Sequence, residues 1–182
     1  TSNHFEREKD RLEKTEVLPP KFNALSAFYE YSKDLAINMY LRKKVSLQAK
    51  FNGYKSLGLI DKKTETVWHR FFDDSDSMVK YARRGAQLVE EEGVIRFYHR
   101  SIMEYFAARQ FYDEILEYDP DDEFSNYSLG KSLIMETEPE VIMFIKDIML
   151  AEDGDRRDQL SVIDKKLIEI LNDEDIQHAY IR

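Results

Sequence analysis

Four groups of side chains have residue types suited to chemistry. His99 ends the run Val94–Ile95–Arg96–Phe97–Tyr98–His99, and an imidazole there can carry a proton or donate to an anion. Alone at a strand end, it reads first as a structural histidine. Leu129–Gly130–Lys131–Ser132 resembles the tail of a phosphate-binding loop, which needs G-x-x-x-x-G-K-[S/T] after a buried strand. Ser125 occupies the first glycine position, and the acidic run Asp119–Pro120–Asp121–Asp122–Glu123–Phe124 replaces the strand. Carboxylates so close to a triphosphate would repel it. Asp73, Asp74 and Asp76 suggest a calcium loop, but Met78 stands where that loop requires glycine. Glu90–Glu91–Glu92 reads as a solvated helix end rather than a metal cluster. No Ser-His-Asp or HExxH arrangement is legible, so no catalytic residue and no metal ligand is assigned.

The elements expected to position His99 are a strand and the helix that follows it. Val94, Arg96 and Tyr98 alternate with Ile95, Phe97 and His99, a β-branched and aromatic pattern. At Arg100–Ser101 the period changes, and Ser101 with Glu104 has the spacing of a capping box. The helix so opened carries Ile102, Met103, Tyr105, Phe106, Ala107, Ala108, Phe111, Tyr112, Ile115 and Leu116. Its apolar surface is broad enough to need neighbours on more than one side.

Upstream, residues 1–22 form a charged lead-in with Phe5 and Leu12 as its large apolar anchors, and Pro19–Pro20 breaks any helix. From Asn23 a long helix is expected, with Leu25, Phe28, Tyr29, Ser32, Ala36, Met39 and Tyr40 inside. Glu30, Lys33, Asp34 and Asn38 lie opposite, and Arg42, Lys43 and Lys44 close its C-terminus. A second helix is expected over Ser46–Leu57, interrupted or closely crossed at Gly53 and capped at Gly58. Thr64–Phe72 has strand-like composition, and Ser77–Glu92 reads as a third helix ended by Gly93. These elements suggest a mainly α fold with a small β-hairpin, a winged-helix-like domain over residues 23–118. A helical region over residues 119–182 follows. Asn126–Met135 is a short helix, and Thr137–Glu138–Pro139–Glu140 caps another carrying Val141, Ile142, Phe144, Ile145, Ile148 and Met149. A last helix over residues 157–172 makes the end helical-repeat-like.

Composition narrows the function classes. Hydrophobic residues make up 42% of 182, with 11 Phe and 11 Tyr, enough for a packed core. A net charge of −9 disfavours nucleic acid and anionic membranes as partners. The absence of cysteine removes disulfides, thiolate metal sites and thiol nucleophiles, and fits a reducing cytoplasm. No apolar run reaches membrane-spanning length. The charged start without Met suggests a fragment of a longer protein.

The run Arg96–Phe97–Tyr98–His99–Arg100–Ser101–Ile102–Met103–Glu104–Tyr105–Phe106–Ala107–Ala108 resembles a signature of NACHT-type STAND NTPases. These are switch ATPases of innate immunity and antiphage defence. Their winged-helix domain, just after the nucleotide-binding core, carries F-x-H-x-[ST]-[FI]-x-E-[YF]-[FL]-A-A. Phe97, His99, Ile102, Glu104, Tyr105, Phe106, Ala107 and Ala108 match in register, while Arg100 and Met103 depart from the residues many members carry. The likeness is clear over Met78–Glu117 and loose upstream. In that family the motif histidine reaches the phosphates of bound ADP and holds the closed state, a role the resemblance puts on His99. It also implies an upstream nucleotide-binding domain as partner, with ADP or ATP held in the parent protein. Neither a P-loop nor an acidic Walker B strand is present here, so this part is expected to be regulatory and not an enzyme. The alternative is a stand-alone helical protein–protein interaction module.

Overall fold

A computed structural model describes residues 2–15, 18, 22–48, 68–73, 75–117 and 139–153. The protein is mainly helical with a small antiparallel sheet. The chain divides into two compact units, Thr1–Met103 and Glu104–Arg182. The boundary expected near Asp119–Asp122 lies outside the described residues, as do the helices expected over 126–135 and 157–172.

In the first unit, α1 (Ser2–Thr15) and α2 (Ala24–Leu41) pack through aromatic rings. Phe5 and Leu12, seven residues apart, are both buried, so the charged lead-in docks by one narrow face. Phe5 and Phe22 meet the Phe28 ring edge-on, at centroid distances of 5.8 and 6.3 Å. Asn23 starts α2 by accepting the Ser26 N–H at 3.3 Å, a side-chain cap for an otherwise orphan donor. The α2 core is broader than the expected stripe. Tyr31, Leu35 and Ile37 are buried, and so is Lys33, whose ammonium lies 3.2 Å from Glu30. Buried Ser32 is satisfied by the Phe28 carbonyl at 2.7 Å.

The C-terminus of α2 is a Schellman turn. The Lys44 N–H donates to the Met39 carbonyl and the Lys43 N–H to that of Tyr40, both at 2.9 Å. Lys43 sits at the left-handed position with φ 52°, where a Cβ is unfavourable. Lys43→Gly should therefore stabilise the protein by roughly 0.5–1 kcal/mol, the backbone relief less the added freedom of the unfolded chain. A rise in the thermal midpoint of that variant is the check, and a fall would contradict the turn assignment.

The chain then forms β1 (Leu47–Gln48), so the helix expected from Ser46 does not start there; residues 49–67 lie outside the description. Residues 68–72 are a short helix, α3, where a strand was expected. Trp68 and Phe71 are buried while His69 and Arg70 are exposed, a three-residue rather than alternating period. Tyr31 Oη donates to the Phe71 carbonyl at 2.9 Å, and Arg42 stands 5.5 Å from the Trp68 ring. Burial pushes the Tyr31 phenol well above its usual range. Arg70 donates to Oδ1 of half-buried Asp34 at 2.6 Å, and Asn38 donates to the same oxygen at 2.9 Å.

Burial raises the Asp34 carboxyl despite the opposing Arg70 guanidinium. A raised folded pKa makes its contribution greatest below the ordinary carboxylate range and diminishing as pH rises through the folded pKa. Asp34→Asn should accordingly flatten this part of the acid-side stability profile. Denaturant midpoints between pH 3 and 6 that slope identically in both proteins would refute it.

The third helix also ends earlier than expected. Asp76 accepts the Met78 and Val79 N–H groups at 2.8 and 3.3 Å and opens α4 (Ser77–Gly85). Gly85 lies against the Phe28 ring so closely that a Cβ would overlap it. After Ala86 the chain forms β2 (Leu88–Glu91) and β3 (Val94–Phe97). Pairing of Glu91 with Val94 leaves a two-residue loop, Glu92–Gly93, with φ of 53° and 78°. Both values are positive, as a type I′ hairpin requires. Gly93 thus turns a hairpin rather than ending a helix. All three strands are antiparallel in the order β1-β3-β2. A helix, a strand, further helices and a hairpin that closes on the first strand make a winged-helix-like arrangement.

The long helix α5 runs from Arg100 to Glu117. In the second unit it buries Phe106, Ala107, Ala108, Phe111, Tyr112 and Ile115. Pro139 is the first residue of α6 (Pro139–Asp153), where its missing N–H does no harm. Val141, Ile145 and Ile148 bury one face of α6, and Phe144 meets Tyr105 edge-on at 5.9 Å. Ile142, expected inside, is 48% exposed.

Candidate functional site

Strand β3 carries Ile95 and Phe97 into the core and leaves Arg96 and Tyr98 outside. Ile95 faces Leu47 across the sheet and Phe97 faces Leu88, so apolar neighbours on both sides fix the strand's rotation. The Tyr98 N–H donates to the Gln87 carbonyl at 2.9 Å, extending the ladder one residue past the strand. Continued alternation would then have turned His99 inward. The backbone instead bends at Tyr98–His99, and the imidazole is exposed.

His99, not Ser101, is the cap of α5. Its carbonyl accepts the Ile102 N–H at 3.0 Å. Its ring Nδ1 lies 3.3 Å from the Ser101 N–H and 2.7 Å from Ser101 Oγ. The expected capping box is therefore shifted: helix begins at Arg100, Ser101 lies inside the first turn, and Glu104 is buried beyond it. The ring nitrogen does what a Ser or Asp oxygen does at most helix starts.

This geometry assigns the tautomer. A backbone N–H can only donate, so Nδ1 must keep its lone pair, and the neutral ring carries its proton on Nε2. One edge of the imidazole is thus committed to the helix, and Nε2–H is the edge left to donate to a ligand. Protonating Nδ1 would turn it into a donor toward Ser101 Oγ and remove the acceptor for the Ser101 N–H.

The other candidates stand apart from His99. Asp73 accepts the Ser75 N–H at 2.9 Å and Ser75 Oγ–H at 2.6 Å, and these bonds hold its carboxyl below the ordinary range. Asp76 is the α4 cap, and Asp74 lies outside the described residues. The three glutamates lie on β2 and in the hairpin loop, not at a helix end, and Glu91 pairs with Arg96 at 3.1 Å. A shallow cavity of about 600 Å³ lined by Glu91, Glu92, Val94 and Arg96 is too acidic to favour a phosphate. Among the described residues, no group of three or more His, Asp or Glu side chains is placed to hold a metal ion. Leu129, Gly130, Lys131 and Ser132 lie outside the description. Among the described residues no helix is long and apolar enough to cross a membrane.

Sequence reading passed over Tyr98, which is 71% exposed beside His99. Its place in an alternating apolar run gave no sign that the strand's outer face was open there. Compared with models of known protein families, with curated proteins and with solved structures, the chain matches none.

Proposed function

We propose that this chain is the regulatory winged-helix and helical part of a NACHT-type STAND signalling NTPase. In this reading it does no catalysis itself. It contributes His99 to the ADP bound by an upstream nucleotide-binding domain in the same cytoplasmic protein, and so favours the inactive arrangement in a defence response. The observation that supports it best is the divided use of the His99 ring, with Nδ1 engaged at the start of α5 and Nε2–H left to donate.

The chemistry suits a switch. A hydrogen bond to a phosphate is charge-assisted and contributes about 1.5–3 kcal/mol. That is enough to bias two domain arrangements, yet a competing contact can displace it. The cap also fixes the ring to the helix it starts, so loss of the phosphate contact would be felt first where strand meets helix.

The test is the coding sequence upstream of Thr1, followed by purification of the protein it encodes. The expected result is a P-loop and a Walker B strand, and ADP retained by the purified protein. A parent with no nucleotide-binding domain would overturn the proposal and favour the helical interaction module.

A further inference from the structure

We infer that Lys43 and Lys44, in the turn between α2 and β1, form a second half of the His99 site and hold polyphosphate with it. The inference rests on the proposed role of His99 and extends it to residues outside the motif. The sheet register brings the two segments toward one end. Leu47 pairs with Ile95 and Gln48 with Val94. The antiparallel direction therefore carries the chain before Leu47 toward the end of β3 where Tyr98 and His99 lie.

Charge is segregated along this sheet. Glu90, Glu91 and Glu92 sit toward the hairpin end; Glu90 and Glu91 pair with Ile95 and Val94, four and five residues or about 13–17 Å of extended chain from His99. Residues 41–45 contain three cations and no acid, and all five are exposed. Arg42 is already engaged with Asn38 and the Trp68 ring. Among the described residues, neither the Lys43 nor the Lys44 ammonium has a partner. A chain of net charge −9 thus carries, at the end of the sheet toward which β3 leads His99, two cations with no partner among the described residues.

The backbone adds a second reason. Lys43 holds a left-handed conformation that glycine would take without strain. Both flanking N–H groups are tied back to α2, so the turn presents its two ammonium groups from a fixed frame. Strain kept at an exposed residue points to a use for its side chain. Two ammonium groups and an imidazole N–H match the distributed negative charge of a diphosphate better than that of a single carboxylate.

The experiment titrates the 182-residue chain with sodium pyrophosphate, ADP and adenosine, following the His99 ring and the lysine ammonium groups by NMR. Pyrophosphate and ADP should both shift the His99 signals, ADP at least as tightly, and adenosine should not. Lys43→Gly with Lys44→Gln keeps the turn and should weaken both phosphate ligands about tenfold or more, as expected for losing charge-assisted contacts. His99→Asn, which can still cap α5, should weaken them as well. Unchanged affinity in the double lysine variant, with loss in His99→Asn, would overturn the lysine site and leave the histidine reading standing. Loss in the lysine variant alone would keep a phosphate surface and remove His99 from it. No response of the parent chain to either phosphate would overturn the inference, and ADP binding weaker than pyrophosphate would exclude the nucleotide as its ligand.

Discussion

Phe28→Ala is expected to destabilise the protein by about 3–5 kcal/mol, the range for removing a fully buried ring. Phe28 has no exposed surface and meets Phe5 and Phe22, while Gly85 packs on its face. One side chain therefore ties together α1, the entry to α2 and the end of α4. Gly85→Ala should cost about 1–3 kcal/mol by overpacking, because its Cβ would overlap the ring. The two effects should not add. With the ring gone, the alanine methyl fills part of the cavity, so the double variant should be more stable than the sum of the single losses predicts. Urea midpoints of the four proteins give this coupling. Strict additivity would mean that Phe28 and Gly85 do not meet as described.

The sequence made the large helices and strand β3 legible and strands β1 and β2 illegible, for identifiable reasons. In α2 and α5, apolar residues recur over many turns, and Asn23 and Ser77 stand beside recognisable starts. Strand β2 is hidden because Glu90 and Glu91 within it, and Glu92 just after, are strong helix formers continuing an apparent helix. The hairpin loop carries glutamate where asparagine or aspartate would have signalled a turn. Strand β1 is two residues long and has no period to read. Residues 68–72 are rich in strand-forming types, yet Trp68 and Phe71 lie three apart on a helix, where Arg42 just past α2 and Tyr31 within it are their partners. The position of His99 was legible, but its capping role was not. Ser101 is the better cap by residue type, and only the bend after Tyr98 puts the imidazole in its place.

That placement separates the capping role of the ring from its proposed phosphate contact. His99→Ala should remove the acceptor for the Ser101 N–H and cost about 0.5–2 kcal/mol, the usual range for a lost N-cap. His99→Asn and His99→Asp should restore most of that stability, since both side chains cap helices well. Neither offers an Nε2–H at the same reach. An effect of His99→Ala on nucleotide could come from a frayed α5, whereas the same effect in His99→Asn could not. If stability fell equally in all three variants, the cap assignment would be wrong.

The most direct test is therefore the rate at which ADP leaves the parent protein carrying His99→Asn. With the fold intact by thermal midpoint, the account predicts ADP release about 10- to 150-fold faster than from the unaltered protein, the equivalent of one charge-assisted hydrogen bond. An unchanged release rate in a variant of unchanged stability would contradict it, and would leave His99 as the cap of a helix and nothing more.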